Sequence, residues 1–452
     1  MIVCKFGGTS VANADAIRRA AGIVKARLDR QPIVVVSALS GTTNTLLALA
    51  EQSARGQLIG ALRAVQNLRE RHMVEAESLL GNTADGVDVA DDLSGMFDEL
   101  ASLAEALSVL GHLTPRSLDA VAAFGEQLSS IMCAAAFCRA GLPTTHVDAR
   151  KVMITDDQFT RAEPQTEAIA DAARQLLLPI VREGRVPLVG GYIGSSQKGG
   201  VTTTLGRGGS DYSASLIGAA LKAEAIEIWT DVDGMLTADP RVVPAARTID
   251  QVGFEEASEL ASFGAKVLHP YTIAPAVRIG IPVYVLNSMK PEGKGTLITF
   301  DAPKRPVTAI AGKSAVTLVK VRSPRMLLTE GFLRELFGIF ERHKTSVDVV
   351  ATSEVSVSLT VDDASHLEEL VGELRQLGDV AIDRNRGIVA LVGAALSEHG
   401  EAMSKALAAI GKIRLHMLSL SATGINLTMV VDADEVNALM QRLHATFFEK
   451  VA

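Results

Sequence analysis

The sequence predicts an α/β layered domain that ends near residue 300, followed by two small units with the order β-α-β-β-α-β. Short apolar stretches alternate with helical patterns in the first part, as expected for a parallel sheet covered by helices. A polar, proline-containing linker, DAPKRPVT at 301–308, then interrupts this alternation. Past the linker the strand and helix signals follow a different order, which occurs twice.

Composition and charge exclude several classes of protein. The 452 residues are 48% hydrophobic and carry a net charge of −8, which argues against non-specific binding to nucleic acid or to anionic membranes. Cys4, Cys133 and Cys138 are odd in number and lie in core-like surroundings, which predicts reduced thiols. Lys5 and Arg18 interrupt the region where a signal peptide would lie. A cytoplasmic location is therefore expected.

The chain begins with a short apolar strand over 2–6, a glycine turn at 7–10 and a helix from about 13 to 28. A strand, a glycine turn and a helix in this order are typical of sites that bind phosphate. Lys5 lies at the end of the strand, where its ammonium group could reach a bound phosphate. A solvated lysine at a strand edge explains the same residue equally well.

A second apolar strand, 33–36, ends in the hydroxyl-rich turn SALSGTTN at 37–44. Two such turns after two early strands predict one shared site at the carboxyl edge of a parallel sheet. Residues 45–140 then show apolar side chains at helical spacing. Glu126 lies in an apolar, small-residue part of this block. It could face the amino group of a ligand or the solvent, and the sequence leaves both open.

The stretch GGVTTTLGRGGSD at 199–211 contains five glycines and three threonines, so it cannot fill an apolar core. Glycine exposes backbone amides, and successive amides form a concavity that binds anions. Arg207 can hold a carboxylate or phosphate with two hydrogen bonds. The helical pattern at 212–223 follows, and a helix N-terminus also favours an anion. A flexible surface loop would not need Arg207 and Asp211 beside a helix start.

Three further features lie before the linker. An apolar strand at 226–230 ends in a polar turn, where Asp231 is a candidate for the nucleotide side of the site, as is Arg241 in the following DPR. Lys266 is a cation in an apolar segment bounded by turns. His269, directly before a proline, is interpreted as a structural cap because no nucleophile and carboxylate accompany it.

The part after the linker predicts two copies of one small unit. The first has strands at 315–322, 346–352, 355–361 and 379–384 and helices at 331–343 and 364–377. The second has strands at 387–393, 413–420 and 425–431, helices at 399–411 and 433–444, and a final segment at 446–451. Such units expose sheet edges that pair with another copy, which predicts a role in dimerisation and in ligand sensing.

Together these motifs resemble those of the aspartate kinases, in the amino-acid kinase superfamily. The resemblance is carried by KFGGTSVA at 5–12, the turn at 37–44, FGEQLS at 124–129, TTTLGRGGSD at 202–211, WTDVDG at 229–234, DPR at 239–241 and FGAKVLHP at 263–270. In the tail, GFLRELFGI at 331–339 and SVDVVATSEVSVSLT at 346–360 resemble regulatory ACT domains. The long helical block resembles a subclass whose single-function members are lysine-sensitive.

The resemblance implies a fold and a domain plan. The fold would be the three-layer amino-acid kinase sandwich with a mainly parallel central sheet, joined to tandem ferredoxin-like ACT domains. The implied domains are a catalytic domain at 1–300, the linker at 301–308, one ACT domain at 309–385 completed by 446–452, and a second at 386–445. The chain would assemble as a dimer or tetramer through its ACT domains.

The resemblance also implies a reaction: the γ-phosphoryl group of MgATP passes to the β-carboxylate of L-aspartate. This is the first step of lysine, threonine and methionine synthesis. A carboxylate is already a nucleophile, so the work is alignment and charge neutralisation. Mg²⁺ would arrive with ATP and need no metal site of its own. Two alternatives are a kinase of another acidic amino acid, such as glutamate, and a non-enzymatic sensor with a degenerate kinase domain.

Residue roles follow from the same resemblance. The catalytic residues would be Lys5, Arg207, Asp211 and Lys266. Aspartate would bind at Ser37, Thr43, Glu126, Arg207, Gly208, Gly209 and Ser210. ATP would bind at Lys5, Gly7, Gly8, Thr9, Thr230, Asp231, Leu236, Arg241, Lys266 and Val267. Leu236 stands where relatives commonly have tyrosine.

An amino-acid effector is implied as well, with lysine expected and threonine as the alternative. It would bind at Met326, Gly331, Phe332, Leu333, Ser346, Val347, Asp348, Ser353 and Glu354. Asp348 or Glu354 would pair with a cationic side chain or amino group, which suits lysine. Leu328 stands where the lysine-sensitive pattern often has histidine.

Overall fold

The computed structural model describes residues 1–263, 270–327, 330–362 and 366–449. The strands are β1 (Ile2–Phe6), β2 (Pro32–Val36), β3 (Thr144–Val147), β4 (Ile154–Thr155), β5 (Val186–Gly190), β6 (Ile193–Ser196), β7 (Thr202–Thr204), β8 (Ala225–Thr230), β9 (Gln251–Val252), β10 (Val283–Asn287), β11 (Thr296–Ile298), β12 (Ala309–Arg322), β13 (Val350–Thr352), β14 (Ser356–Val361), β15 (Asp379–Val392), β16 (Met417–Leu420) and β17 (Asn426–Asp432).

The helices are α1 (Ala14–Lys25), α2 (Thr42–Ala54), α3 (Leu58–Leu80), α4 (Ala84–Leu110), α5 (Pro115–Ala122), α6 (Phe124–Arg139), α7 (Thr166–Leu176), α8 (Leu178–Arg182), α9 (Gly209–Leu221), α10 (Phe254–Ser262), α11 (Pro270–Arg278), α12 (Phe332–Arg342), α13 (Leu367–Leu374), α14 (Gly400–Ile410) and α15 (Val436–Phe448). The chain forms two compact units. The described part of the first is 1–235 with 270–300, and that of the second is 236–263 with 301–449.

A mainly parallel sheet forms the centre of the first unit. Its strand order is β3-β5-β2-β1-β8-β10-β11, and β11 alone of these runs antiparallel to its neighbour β10. Every residue of β1, β2 and β5 is buried, as expected for parallel strands covered on both faces. The predicted α/β fold with a mainly parallel central sheet is thereby confirmed.

The carboxyl ends of the middle strands meet at one edge of this sheet. Phe6 at the end of β1 is in register with Val36 of β2 and Trp229 of β8. The backbone N–H of Gly7 donates to Trp229 O at 3.0 Å, and that of Ser37 donates to Phe6 O at 3.0 Å. The turns that follow the three strands therefore lie side by side.

The predicted helical block is formed by α2 to α6. These helices contribute apolar residues to one core that also takes in β1 and β2, including Leu46, Leu93, Phe97 and Phe137, all fully buried. The stretch Pro115–Arg139 is long and apolar enough to cross a membrane, but 78% of its most apolar window is buried inside the protein. In this structure it belongs to the core.

The glycine-rich stretch at 199–211 contains more regular structure than its composition predicts. Thr202–Thr204 form β7, which pairs antiparallel with β6 in a small sheet of order β4-β6-β7. The next helix, α9, begins at Gly209 rather than at the predicted residue 212. Only 205–208 connect the strand to the helix, so the connection is short and held at both ends.

The second unit contains an antiparallel sheet with the order β13-β14-β12-β15-β17-β16. Both β12 and β15 are 14 residues long, and each serves two adjacent ferredoxin-like units. The register between them shifts after Lys313, where Ala315 has a φ of 66°. The predicted ferredoxin-like order is confirmed.

One strand of the second ferredoxin-like unit comes from a different place than expected. Ala309–Lys313, the first part of β12, pairs with the end of β15 and occupies the fourth-strand position. The chain segment at 446–448 continues α15 as helix. Two glycines let this helix approach the sheet. A Cβ atom at Gly312 would lie 2.2 Å from Met440 Sδ, and one at Gly387 would lie 2.1 Å from Val436 Cγ2.

Candidate active site

A cleft of about 640 Å³ opens in the first unit, at the edge where the middle strands end. Its walls come from the turns after β1 and β2, from α6, from the 205–208 connection and from the start of α9. The lining residues are Lys5, Gly7, Gly8, Thr9, Ser37, Ala38, Leu39, Ser40, Gly41, Thr43, Asn44, Leu47, Glu126, Tyr192, Gly206, Arg207, Gly208, Gly209, Ser210, Asp211 and Thr230.

Lys5 and Asp211 form an ion pair at the floor of the cleft. Lys5 Nζ lies 2.6 Å from Asp211 Oδ1, and the two side chains are only 10% and 13% exposed. Charges held this close in a poorly solvated place interact more strongly than they would at the surface. The pair therefore fixes the direction of the ammonium group, which still lies against the cleft.

The glycine turn after β1 is held in place from two sides. The Ser10 hydroxyl lies 3.1 Å from Trp229 O, to which it donates, and 2.8 Å from Ser288 Oγ. On the other side, a Cβ atom at Gly8 would lie 3.0 Å from Ala38 O, so no larger residue fits there without a shift. The turn is thus held at a fixed position beside the cleft, as anion binding by its remaining amides, those of Gly8 and Thr9, requires.

Glu126 brings a buried carboxyl group to the cleft. The residue is 3% exposed, and its Oε1 accepts a hydrogen bond from the Ala38 amide at 3.2 Å. Its Oε2 is buried and has no hydrogen-bond partner among the described residues. Burial raises the pKa of Glu126 to about 8, although the Ala38 amide and the charge of Lys5 oppose this rise. A cationic group entering the cleft would satisfy Oε2 and favour the ionised form.

Arg207 projects from the connection between β7 and α9. It is exposed, and within the described parts of the chain it forms no ion pair or hydrogen bond through its guanidinium group. Gly206 and Gly208 on either side have φ values of 77° and 72°, in the region that favours glycine. The backbone therefore sets only where this side chain starts, and its guanidinium group is available to an anion.

The start of α9 packs closely against the strand end beside it. A Cβ atom at Gly191 would lie 2.7 Å from both the Cα and the Cβ of Ser210. Gly209 and Ser210 are the first residues of α9. The Gly209 amide donates to Gly206 O at 3.0 Å, whereas the Ser210 amide is among those left free by the helix pattern. The positive end of the helix therefore faces the cleft beside Arg207.

Most of the residues predicted for aspartate and for the phosphates of ATP line this cleft, but three predicted nucleotide residues do not. Asp231 is next to Thr230 and accepts a hydrogen bond from its hydroxyl at 3.2 Å, but does not line the cleft. Leu236 and Arg241 belong to the second unit. There Arg241 donates to Asp239 at 3.0 and 2.6 Å. Lys266 and Val267 lie outside the described residues.

Tyr192 lines the cleft and was not predicted. Its φ is 64°, unusual for a residue with a side chain, and two backbone hydrogen bonds hold it there. Its amide donates to Ser213 Oγ at 3.0 Å, and its carbonyl accepts from the Leu205 amide at 2.9 Å. Burial raises the pKa of its phenol to about 12. No local pattern in the sequence marks this residue, apart from the glycine pair that precedes it.

The predicted effector residues all lie in the second unit, on and after β12, at the start of α12 and around β13. Gly331 precedes α12 with a φ of 88°. The side chain of Phe332 is 5% exposed and belongs to the apolar core, so this residue would offer a ligand its backbone. Leu333, by contrast, is 40% exposed.

Asp348 shares one ammonium group with a second carboxylate. Lys313 Nζ lies 3.2 Å from Asp348 Oδ2 and also contacts Asp362. Burial, together with Asp362, raises the pKa of Asp348 to about 6, and Lys313 opposes this rise. Two carboxylates with one cation leave a net negative charge, which favours a further cationic group.

Comparison with known proteins agrees with this geometry. The amino acid kinase family model matches residues 1–287. The lysine-sensitive aspartokinase 3 of Escherichia coli K12 is 39% identical over 458 residues, which cover 99% of each chain. The chloroplastic aspartokinase 3 of Arabidopsis thaliana is 36% identical over 99% of this chain and 81% of its own.

Solved structures show the same likeness. The crystal structure of E. coli aspartokinase III with aspartate and ADP, in the R-state, matches with a TM-score of 0.86 at 39% identity, over 99% of this chain and all of that one. The complex of the same enzyme with lysine and aspartate, in the T-state, matches with a TM-score of 0.83 at 38% identity. The chain belongs to the amino acid kinase family and, within it, to the aspartokinases.

Proposed function

We propose that this protein is an aspartate kinase: it transfers the γ-phosphoryl group of ATP to the β-carboxylate of L-aspartate, giving 4-phospho-L-aspartate and ADP. The observation that carries the proposal is the cleft itself, where Lys5, Glu126 and Arg207 converge. It offers positive groups for two anionic reactants and one carboxyl group for an ammonium group. Similarity over the full chain to an aspartokinase crystallised with aspartate and ADP supports the same reaction.

Aspartate would be held through its α-carboxylate and its α-ammonium group. Arg207, which has no protein partner in the described part of the chain, binds the α-carboxylate with two hydrogen bonds. The Oε2 atom of Glu126, which has no hydrogen-bond partner among the described residues, binds the α-ammonium group. Ser37 and Thr43 line the pocket for the side chain. This places the β-carboxylate toward the glycine turns.

Lys5 and the amides of Gly8 and Thr9 would hold the phosphates of the nucleotide and the transferred group. The Gly7 amide already donates to Trp229 O at 3.0 Å, so Gly7 would contribute the shape of the turn. The nucleophile is a carboxylate, so no base is needed, and the barrier falls through alignment and charge neutralisation. Asp211 holds the ammonium group of Lys5 in place against the cleft. The remaining predicted nucleotide residues, Asp231, Leu236, Arg241, Lys266 and Val267, stay part of the proposal through the family resemblance.

Mg²⁺ is proposed to arrive with ATP. Within the described ranges, no group of three His, Cys, Asp or Glu side chains is arranged to hold a metal ion. Asp211 already pairs with Lys5. The ion would be held mostly by phosphate oxygens and water, and it would neutralise charge on the phosphates.

Feedback inhibition by lysine is proposed for the second unit. The carboxylates of Asp348 and Asp362 share Lys313 and leave a net negative charge, which suits a cationic amino acid. The relative from E. coli is named lysine-sensitive. Inhibition requires that the effector bind an inactive arrangement better than the active one. We further propose a homo-oligomer formed through the ACT domains, located in the cytoplasm.

The test is formation of aspartyl hydroxamate from aspartate, ATP and hydroxylamine, with and without Mg²⁺. Glutamate in place of aspartate should give little product, and lysine should inhibit, with threonine and methionine added separately as comparisons. Equal rates with glutamate would replace the proposed substrate. Absence of product from both acids, with a folded protein, would favour a non-enzymatic sensor.

A further inference from the structure

Asp119 is a buried carboxylate that the proposed reaction does not use. It lies on α5 and is 1% exposed, and it does not line the cleft. Among the described residues no lysine or arginine forms an ion pair with it. Burial accordingly raises the pKa of Asp119, and the hydrogen bonds it accepts oppose the rise. A buried carboxylate without a cation is unfavourable unless its hydrogen bonds are needed where it is.

Asp119 holds two chain segments that meet at the base of the Arg207 connection. Its Oδ1 accepts from the Thr204 hydroxyl at 2.7 Å, and its Oδ2 accepts from the Thr204 amide at 3.0 Å. The same Oδ2 accepts from the Thr160 amide at 2.9 Å. Thr204 is the last residue of β7, three positions before Arg207.

The second segment contacts the connection directly. Thr160 has a φ of 71°, a left-handed conformation that is a clear outlier for a β-branched residue. A Cβ atom at Gly206 would lie 3.2 Å from Thr160 O, so the strained turn packs against the residue before Arg207. Such strain persists only where the surroundings hold it, and it is common at functional sites. The hydrogen bond from the Thr160 amide to Asp119 is one of the contacts that hold it.

Arg207 itself has no partner among the described residues that would fix its position. The backbone therefore sets where this side chain starts and which region its guanidinium group can reach, and the contacts of Thr204 and Thr160 hold that backbone. An error of about 1 Å in the position of a reacting group can lower a rate about 100-fold. From these contacts we infer that Asp119 is a positioning residue for Arg207: it fixes the 205–208 connection and thereby the site for the substrate α-carboxylate.

This inference rests on the proposed function for its kinetic test, but not for its structural one. Asp119→Asn keeps the shape but replaces a charged acceptor with a neutral amide. The contact with the Thr204 hydroxyl must then reverse its direction, and the two bonds from the Thr160 and Thr204 amides lose their charge assistance. We expect kcat/KM for aspartate to fall about 10- to 100-fold, with the KM for ATP changed less than about twofold. Asp148→Asn is the control. Asp148 accepts hydrogen bonds from Arg150 in the same unit and does not line the cleft.

A double-mutant cycle separates positioning from general loss of structure. If Asp119 acts through Arg207, Asp119→Asn should change kcat/KM less than about twofold in an Arg207→Ala background. A full 10- to 100-fold loss in that background would overturn the inference, as would wild-type kinetics in the single variant. Thr204→Val, which removes only the hydroxyl bond, should give a smaller loss, and Thr204→Ser should restore activity. These two variants decide the matter if Asp119→Asn does not fold.

Trypsin supplies a measurement that does not depend on the reaction. The bond after Arg207 is a trypsin site in an exposed connection, and cleavage requires the connection to open. We expect trypsin to cut Asp119→Asn there about tenfold faster than wild type, and to cut Asp148→Asn at the wild-type rate. The cleavage rates are measured by mass spectrometry, well below the melting temperature of each variant. Equal rates would refute the positioning role. Failure of the wild-type protein to phosphorylate aspartate would instead refute only the proposed function.

Discussion

The two units of the chain place the charged side chains of their proposed sites in different surroundings. In the first unit Lys5 and Asp211 pair with side chains 10% and 13% exposed, and Glu126 is 3% exposed. In the second unit Lys313 and Asp348 pair with side chains 25% and 27% exposed. Poorly solvated charges interact strongly and at fixed positions, whereas exposed pairs contribute little and rearrange easily. The first arrangement suits phosphoryl transfer, and the second suits reversible binding of an effector.

The sheets explain where each unit places its charges. The middle strands of the first unit, β1 and β2, are buried along their whole length, so polar groups collect at the strand ends. In the second unit the antiparallel strands β12 and β15 contain exposed positions along their length, including the region of the register shift after Lys313. Changes in the cleft of the first unit should therefore alter the reaction, and changes around Lys313 in the second should alter only its regulation.

The largest effect is expected from Lys5→Met. The change removes the cation that faces the phosphates and leaves Asp211 without its partner at the floor of the cleft. We expect kcat to fall on the order of 1,000-fold, equivalent to about 4 kcal/mol of transition-state stabilisation. Steady-state kinetics by the hydroxamate assay measures this. A loss of less than about tenfold would show that the ion pair is structural.

Arg207→Ala tests an exposed residue of the cleft in the first unit. The guanidinium group has no protein partner in the described part of the chain, so its loss should leave folding intact. We expect kcat/KM for aspartate to fall about 100-fold, or about 2.7 kcal/mol. Both KM for aspartate and kcat should change, and the melting temperature should stay within about 2 °C of wild type. Near-normal kinetics would remove Arg207 from the substrate site.

The sequence predicted those parts of the site that follow from local chain order. Strand, turn and helix signals located the turns after β1 and β2, and glycine with arginine marked the connection before α9. Tyr192 and Asp119 could not be found in this way. Their roles depend on contacts between distant segments, such as the bond from Thr204 to Asp119, and neither residue lies in a local pattern.

The same limit applies to the second unit. The repeated order of strands and helices was visible in the sequence. The strand that completes the second ferredoxin-like unit was not, because Ala309–Lys313 precedes the whole repeat and forms the first part of the unbroken strand β12. A strand shared by two units produces one long apolar pattern in the sequence. Which part of the strand belongs to which unit is seen only from the strands with which each part pairs.

The pH dependence of aspartate binding gives a smaller effect that tests the buried side of the contrast. Because burial raises the pKa of Glu126 to about 8, the free protein holds this group mostly protonated at pH 7. Only the ionised form attracts the substrate ammonium group. The Kd for aspartate should therefore rise about tenfold for each pH unit below about 8, and binding near pH 7 should release a proton. Calorimetry in buffers of different ionisation enthalpy measures both.

Glu126→Gln is the control for this prediction. The amide cannot ionise, so its Kd for aspartate should be higher than that of wild type at pH 8 and should vary little between pH 6.5 and 8.5. The hydrogen bond from the Ala38 amide can be kept by the amide oxygen, which preserves the wall of the cleft. A variant with the wild-type pH profile would assign the titration to another group.

The smallest effect is expected from Asp348→Asn, and it should appear in regulation alone. A charge-assisted hydrogen bond to a partly exposed carboxylate contributes about 1 kcal/mol. The lysine concentration for half-inhibition should therefore rise about fivefold. In the absence of lysine, kcat should stay within about twofold of the wild-type value. Glu401→Gln, which removes a carboxylate from the exposed pair with Lys405, should leave both values unchanged.

The pH dependence of lysine inhibition tests the same carboxylate. Since Asp348 has a pKa raised to about 6, its ionised form is lost as the pH falls through that value. Inhibition of the wild type by lysine should therefore weaken there, while inhibition of Asp348→Asn should not change with pH. A change in kcat as large as the change in inhibition would show that the exposed charges of the second unit act on the reaction itself, and the division between the two units would then fail.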